Sequence, residues 1–337
     1  MSSKDRPCEQ PAATNAIASV TPLSTDSTTA GVQVQHTLKS SIQCSGIGLH
    51  SGATVTLVLH PAPESSGIVF RRRRGLRPTH IPAHWSHVVD TSLCTVVGDG
   101  DGTTVGTVEH LMAALAGCAI DNAVIELDGP EVPAMDGSSA PFVFLIECAG
   151  RAAQKAPRRA IQVQTPVGVT GDGKSLDIAP AAELTIHMAI EFSESMIGRQ
   201  DVSFRLEEGS FKSHLARART FGFDHEVSAM RSAGLALGGS LDNAVVLSGD
   251  RVLNDEGLRF PDEFVRHKAL DCLGDLYLAG APLTGAVTGW RSGHALNHAL
   301  LQRLFSDDSA WQVTTLPASP VADVPVQPAR QAVAGGL

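Results

Sequence analysis

The sequence predicts an α+β protein of two domains, and three observations carry that expectation. At 337 residues the chain is about twice the length of an ordinary domain of about 150 residues. Hydrophobic residues make up 43%, enough to fill real cores. Each half mixes strand-like and helix-like periodicities in similar proportion, with no internal repeat. Aromatic residues are only 4%, with a single tyrosine, so aliphatic side chains must do most of the packing.

Charge and cysteine usage narrow the function classes. The net charge of −9 argues against a general nucleic-acid-binding surface, while leaving room for a local basic pocket for phosphate. The six cysteines (8, 44, 94, 118, 148 and 272) form no C-x-x-C pair and no disulfide framework. Cys118 and Cys272 read as small apolar fillers of helices, and reduced thiols place the protein in the cytoplasm. No stretch approaches the roughly 18 apolar residues of a transmembrane segment, and the N-terminus lacks the apolar core of a signal peptide. Residues 1–33, rich in Ser, Thr, Ala, Pro and Gln, read as a disordered extension. A transit peptide suits them poorly, because Asp5, Glu9 and Asp26 accompany only two basic residues.

Order is expected from Val34. Two strands flank the turn GIGLHSG, in which His50 faces either a ligand or the turn itself. Ile68–Arg74 reads as a strand ending in four arginines, more naturally a solvated basic edge than a phosphate contact. Asp90–Val97 reads as another strand. Thr107 is a natural N-cap for a helix with Val108, Leu111, Met112 and Leu115 on one face, and Gly117 ends it. Glu109 and His110 then fall in the first turn, where the helix dipole favours a carboxylate and keeps an imidazole neutral. Residues 120–150 give a strand, a proline-rich turn and a short helix, closing domain I (34–155), and Arg151–Ala160 reads as a linker.

Domain II (156–310) opens with strands near Ile161–Val169, Ser175–Ile178 and Leu184–Phe192. A basic stretch follows and ends at Thr220, after which Phe221 and Phe223 bracket Gly222, as either ordinary core or a ligand wall. Glu263–Gly280 is the strongest helix, with Val265, Ala269, Cys272 and Leu276 as its apolar stripe and Gly280 as its stop. A strand at Ala281–Trp290 leads through Ser292 and Gly293 to His294, where a loop meets a last helix. Residues 311–337 read as a disordered tail.

The strong helix carries His267, Asp271 and Asp275 at four-residue steps, each advancing about 40° around the axis, so all three share one broad face. Alone, H-x-x-x-D is satisfied by an exposed ion pair between turns. Joined by His110 it becomes two neutral imidazoles and a carboxylate, the ligand set of a catalytic zinc ion with one position open for water. Lys268 adds a cation beside that set, suited to a substrate anion. Glu109 supplies a base, and His294 an acid that Asp275 orients and holds charged.

The blocks GIGLHSG, DTSLCT, TVEHLMAALAG, IDNAVIELDGPEVPAMDGSSAPFV, ARARTFGF, GGSLDNAVV, RVLNDEGLRFPDEFVRHKALDCLGDL and SGHALN, in this order from about Val34 to Phe305, resemble the UDP-3-O-acyl-N-acetylglucosamine deacetylases of lipid A synthesis. That resemblance implies two domains of β-α-α-β layered plan, each with a small insert, and an active site between them. It implies a single zinc ion on His110, His267 and Asp271, Glu109 as general base, His294 as charged acid with Asp275 as its partner, and Thr220 as a hydroxyl for the oxyanion. Lys268 would contact substrate. An insert near 220–246 would form an apolar acyl passage lined by Phe221 and Phe223, with Leu93 near its entrance. The implied partner is a nucleotide-linked acyl sugar, acted on by a monomer with no fused dehydratase domain. The N-terminal extension and the arginine run are not needed by the family pattern, and Asp224 has no reading. Two other functions compete: a zinc amidase on another substrate, against which the acyl-passage insert weighs, and a silent metal-binding scaffold. The scaffold would have lost a proton-transfer residue, yet Glu109, Asp275 and His294 are all present.

Overall fold

The computed structural model describes residues 31–74, 77–192 and 196–318. Its first half is built on a five-stranded sheet in the order Ile42–Ile47, Thr54–Pro61, Ala123–Leu127, Ile68–Arg74, Arg77–Pro82. Only the pairing of Ile68–Arg74 with Ala123–Leu127 is parallel. Alternation sets the faces: Val55, Leu57 and Leu59 are fully buried while Thr56 and Val58 between them are not. Helices α1 (Glu109–Gly117) and α2 (Ala140–Ala149) supply the matching apolar surface, with Leu111, Met112, Leu115, Phe142 and Ile146 in the same core. A small three-stranded sheet, Val88–Asp90, Val96–Gly98 and Thr104–Val105, is inserted beside them.

The second half is a seven-stranded mixed sheet centred on Leu283–Trp290, which pairs with Lys174–Ala179, Arg159–Val163 and Leu184–Glu191. Two short helices, α3 (Ser210–His214) and α4 (Asp224–Ser232), lie on the connection that also carries a three-stranded insert. That insert runs Phe221–Phe223, Val245–Ser248, Arg251–Val252. Helices α5 (Glu263–Leu276) and α6 (His294–Phe305) follow. Contacts with α1, α6 and the strands Leu184–Glu191 and Arg199–Arg205 bury α5 on nearly every side, well beyond the single stripe its sequence shows. A 3-10 turn at Tyr277–Ala279 and a left-handed Gly280 (φ 88°) end it where expected.

Five expectations need correction. Arg151–Ala160 is no linker: Arg151–Pro157 pairs antiparallel with Val34–Leu38, and Arg159–Val163 belongs to the second sheet. Alternate residues of Arg151–Pro157 are half-buried, a strand pattern that its Arg, Lys and Pro content disguises. The tail does not begin at 311, because Trp311–Thr315 adds an antiparallel edge strand to Arg159–Val163 and the Trp311 ring packs on Phe305. Order also begins earlier than Val34, since Val32 bridges Pro317 and the Gln33 N–H donates to the Leu316 carbonyl. The remaining parts of both expected tails lie outside the described residues. Thr107 does not cap α1. It sits at φ 55° and its hydroxyl donates to Glu131, leaving Val108 as the capping residue without a side-chain hydrogen bond. Asp90–Val97 is two short strands separated by a bend.

Candidate active site

The site forms where α1 crosses α5. His110, in the first turn of α1, and His267 and Asp271, one turn apart on α5, bring one ligand atom each to within 4.8 Å of one another, and all three are buried. Both imidazole Nε2 atoms approach the same oxygen, Asp271 Oδ1, at 3.5 Å from His110 and 3.2 Å from His267. The other oxygen, Oδ2, accepts from Lys268 Nζ at 3.1 Å.

These residues fit a divalent metal ion. Asp271 Oδ1 is buried with no hydrogen-bond partner, a costly state for a carboxylate oxygen unless a cation meets it. His267 Nδ1 lies 3.0 Å from the Ala218 carbonyl, which selects the tautomer with its proton there and leaves the Nε2 lone pair facing Asp271. Burial lowers the pKa of His110, keeping it a neutral ligand. Burial alone would raise the Asp271 carboxyl, but His267 and Lys268 beside it hold it well below the usual carboxylate range. The carboxylate is thus ionised and the His110 imidazole neutral, as metal ligands must be.

A second cluster adjoins the first: Glu109, Asp275 and His294 also converge within 4.8 Å. His294 Nδ1 is 2.7 Å from Asp275 Oδ2, and its Nε2 faces Glu109 Oε1 at 3.9 Å. Burial would discharge this imidazole, but Asp275 and Glu109 push its pKa up to about 10. Burial pushes Glu109 up to about 7, an effect that cationic His294 opposes and Asp275 reinforces. The pair therefore combines a carboxylate able to take a proton near neutrality with an imidazolium that keeps one.

Other residues of the constellation were not legible in advance. Thr95 and Asn297 both bond Asp275: the Thr95 hydroxyl donates to Oδ1 at 2.6 Å and Asn297 Nδ2 to Oδ2 at 2.8 Å. Their only sequence signals are their places as the last residues of the recognised blocks DTSLCT and SGHALN. Arg219 is fully buried, bonding Glu263 through its backbone N–H and its guanidinium, and it fixes the segment leading into Thr220. Glu131 accepts from the His50 and Ser51 backbones and from the Ser51 and Thr107 hydroxyls, tying the GIGLHSG turn to the approach of α1. His50 thus contributes its backbone N–H, and its ring nitrogens are buried without partners.

The residues expected to meet substrate surround the site less tightly. Thr220 is half-buried, its backbone bridging Gly137 and Val245. Phe221 packs edge-on against Phe264 at 4.9 Å and lies 6.5 Å from the His267 ring, with Lys268 Nζ 5.7 Å over its face. Phe223 joins a cluster with Phe192 and His225. Leu93 stands 42% exposed on a different segment, two residues before Thr95. Of the basic edge, Arg71 and Arg73 pair with Glu126 across neighbouring strands, which favours a structural reading for them. A cleft of about 920 Å³ opens elsewhere, among Phe211, Leu276, Tyr277 and Leu283. It includes none of the converging groups, so chemistry rather than cavity size locates the site.

Comparison with known proteins identifies a family. The family model for UDP-3-O-acyl N-acetylglycosamine deacetylase matches residues 35–306. A UDP-3-O-acyl-N-acetylglucosamine deacetylase from Acidithiobacillus ferrooxidans is 51% identical over 280 residues, covering 82% of this chain and 92% of that protein. One from Myxococcus xanthus is 49% identical over 83% of this chain and 88% of its own length. One from Neisseria meningitidis is 46% identical over 82% of this chain and 92% of its own. All the residues of both converging clusters lie inside the matched range.

Proposed function

The chain belongs to the UDP-3-O-acyl N-acetylglycosamine deacetylase family, and from that premise we propose that it hydrolyses the acetamide of UDP-3-O-acyl-N-acetylglucosamine, releasing acetate and the free amine in the committed step of lipid A biosynthesis. The observation that carries the reading is the junction of the two clusters. Two imidazoles, that of His110 kept neutral by burial, and an ionised carboxylate with an orphaned oxygen stand beside a carboxylate and an imidazolium of opposite proton bias.

His110, His267 and Asp271 would hold zinc, which suits two nitrogen ligands and one oxygen with a fourth position open. When bound, zinc supplies Lewis acidity toward a carbonyl oxygen and toward water. Glu109 accepts the proton of the attacking water. Cationic His294, held charged by Asp275, offsets negative charge developing on the amide oxygen, as does the Thr220 hydroxyl. Glu109 after that transfer, and His294 throughout, each hold the proton that the leaving amine requires.

Lys268, Leu93, Phe221 and Phe223 are assigned to substrate, with residues 220–246 forming the acyl passage. The aromatic packing of Phe221 and the exposure of Leu93 support that assignment. The two sheet-and-helix halves are read as domains, the first closing with the strand Arg151–Pro157 and the second running from Arg159 through the edge strand Trp311–Thr315. Among the described residues no helix is long and apolar enough to cross a membrane, and five cysteines are free. A cytoplasmic monomer is the matching proposal.

The test is acetate release from UDP-3-O-acyl-N-acetylglucosamine by the purified protein, after chelation, after zinc is returned, and with Glu109→Ala. Loss on chelation, recovery with zinc and a steep fall in the variant are expected. No release at any acyl length from zinc-loaded protein would move the assignment to a different amide substrate.

A further inference from the structure

Thr95 spends its three polar groups on the two carboxylates Glu109 and Asp275 and on the start of α1. Its backbone N–H donates to Glu109 Oε2 at 3.0 Å, and its hydroxyl donates to Asp275 Oδ1 at 2.6 Å. Its carbonyl accepts from the Val108 N–H at 3.3 Å, immediately before α1 begins. The residue is buried, so none of these bonds is diluted by solvent. One side chain and its peptide thus join the first turn of α1 to Asp275 of α5, linking the proton acceptor to the carboxylate that orients His294.

Two of these bonds divide the work of both carboxylates. With Glu109 Oε2 held by Thr95, Oε1 is the oxygen that faces His294 Nε2. With Asp275 Oδ1 held by the Thr95 hydroxyl, Oδ2 is left to His294 Nδ1 and Asn297 Nδ2. Asn297 is fixed in turn by the Ser292 hydroxyl, which donates to its Oδ1 at 2.9 Å. We propose that Thr95 is a positioning residue for the deacetylation. It would orient Glu109 so that Oε1 takes the proton of water, and hold Asp275 in the rotamer that aims the His294 imidazolium at the same point. This rests on the deacetylase reading above and deepens it. Misplacing a reacting group by a fraction of an ångström costs rate while leaving substrate affinity largely intact.

Thr95→Val keeps the shape and the backbone bonds and removes only the hydroxyl, while Thr95→Ser restores it. The wild type and both variants are loaded with zinc and assayed for acetate release, with zinc stoichiometry and Tm measured on each. The expected result is a kcat for Thr95→Val lower by about tenfold to a hundredfold, with KM and zinc content unchanged, and Thr95→Ser within about threefold of wild type. A second readout needs neither zinc nor turnover: the NMR resonance of the His294 Nδ1 proton in metal-free protein. It should match the wild type in Thr95→Ser and shift or broaden in Thr95→Val. An unchanged kcat and an unchanged resonance in Thr95→Val overturn the proposal. So does a fall in kcat that only accompanies lost zinc or lost Tm and that serine fails to restore. An inactive wild type instead counts against the deacetylase reading, and the resonance still decides whether Thr95 sets the His294–Asp275 pair.

Discussion

A Cβ placed on Gly274 would lie 2.0 Å from the carbonyl oxygen of Glu109 and 3.1 Å from the Ala113 amide nitrogen. The backbones of α1 and α5 therefore meet at the residue that precedes His110, the first of the proposed metal ligands. Only a glycine permits that crossing, and the crossing sets how far His110 stands from His267 and Asp271. Gly274→Ala should push the helices apart and cost about 1–3 kcal/mol of stability. Metal affinity should fall with it, because the ligand atoms separate. Thermal unfolding and zinc titration on the same samples check both, and a variant with native Tm and native zinc affinity would refute the crossing argument.

The opposed proton affinities of Glu109 and His294 predict a bell-shaped dependence of kcat/KM on pH. The acid limb follows loss of the Glu109 proton, at about 7 or lower because a bound dication favours the carboxylate. The alkaline limb follows loss of the His294 proton near about 10. Asp275 is the strongest of the charges that raise His294, so Asp275→Asn should move the alkaline limb several units down, toward the ordinary histidine value of about 6.5. Stability shares this linkage. A folded pKa raised above the unfolded one gives a contribution fully present below about 6.5 that is lost as pH rises through about 10. Asp275→Asn should flatten that alkaline loss. An alkaline limb left in place by the substitution would show that another group titrates there.

What the sequence reveals here follows from what is periodic and what is not. The helix α5 is legible because His267, Asp271 and Asp275 repeat at the helical step and Gly280 closes the run. Glu109 and His110 were legible through the apolar stripe behind them, although the cap was misassigned. Thr107 offers the right hydroxyl, but Glu131, 24 residues away, competes for it successfully. Thr95, Asn297 and Arg219 carry no local pattern, since their partners Asp275 and Glu263 are distant in sequence or on another element. The strand at Arg151–Pro157 was hidden for a related reason. Its composition suits a solvated linker, and only pairing with Val34–Leu38, more than a hundred residues earlier, makes it a strand.

Arg219 and Glu263 form an ion pair that is almost wholly removed from water, at 1% and 0% side-chain exposure. Burial alone would raise Glu263, but its bonds with Arg219 and with the Arg259 backbone lower it instead. Removing one partner leaves an uncompensated buried charge, so Arg219→Met should cost about 3–5 kcal/mol. Arg219→Met with Glu263→Gln should recover part of that loss. Denaturant unfolding of the two singles and the double gives the coupling directly, and simple additivity would mean the pair does not act as a unit. Because Arg219 leads into Thr220 and the Ala218 carbonyl holds His267, the single variant should also weaken zinc binding.

Asp271 yields the last prediction, since its orphaned oxygen makes metal binding and folding stability one quantity. At a zinc concentration about a hundred times Kd, binding to the native state adds about 2.7 kcal/mol. In a chain of this size that raises Tm by several degrees, on the order of 2–4 °C per kcal/mol. Chelation should lower Tm by that amount and zinc should restore it. Asp271→Ala should abolish the zinc-dependent part. In metal-free protein its cost should be smaller than that zinc-dependent part, because Oδ1 of the removed carboxylate had no hydrogen-bond partner; what is lost is the Lys268 contact and the approach of the His110 and His267 rings. Equal Tm values with and without zinc in the wild type would mean that the three residues do not take up the ion. A large loss of metal-free stability in Asp271→Ala would mean that the carboxylate serves the fold rather than a metal.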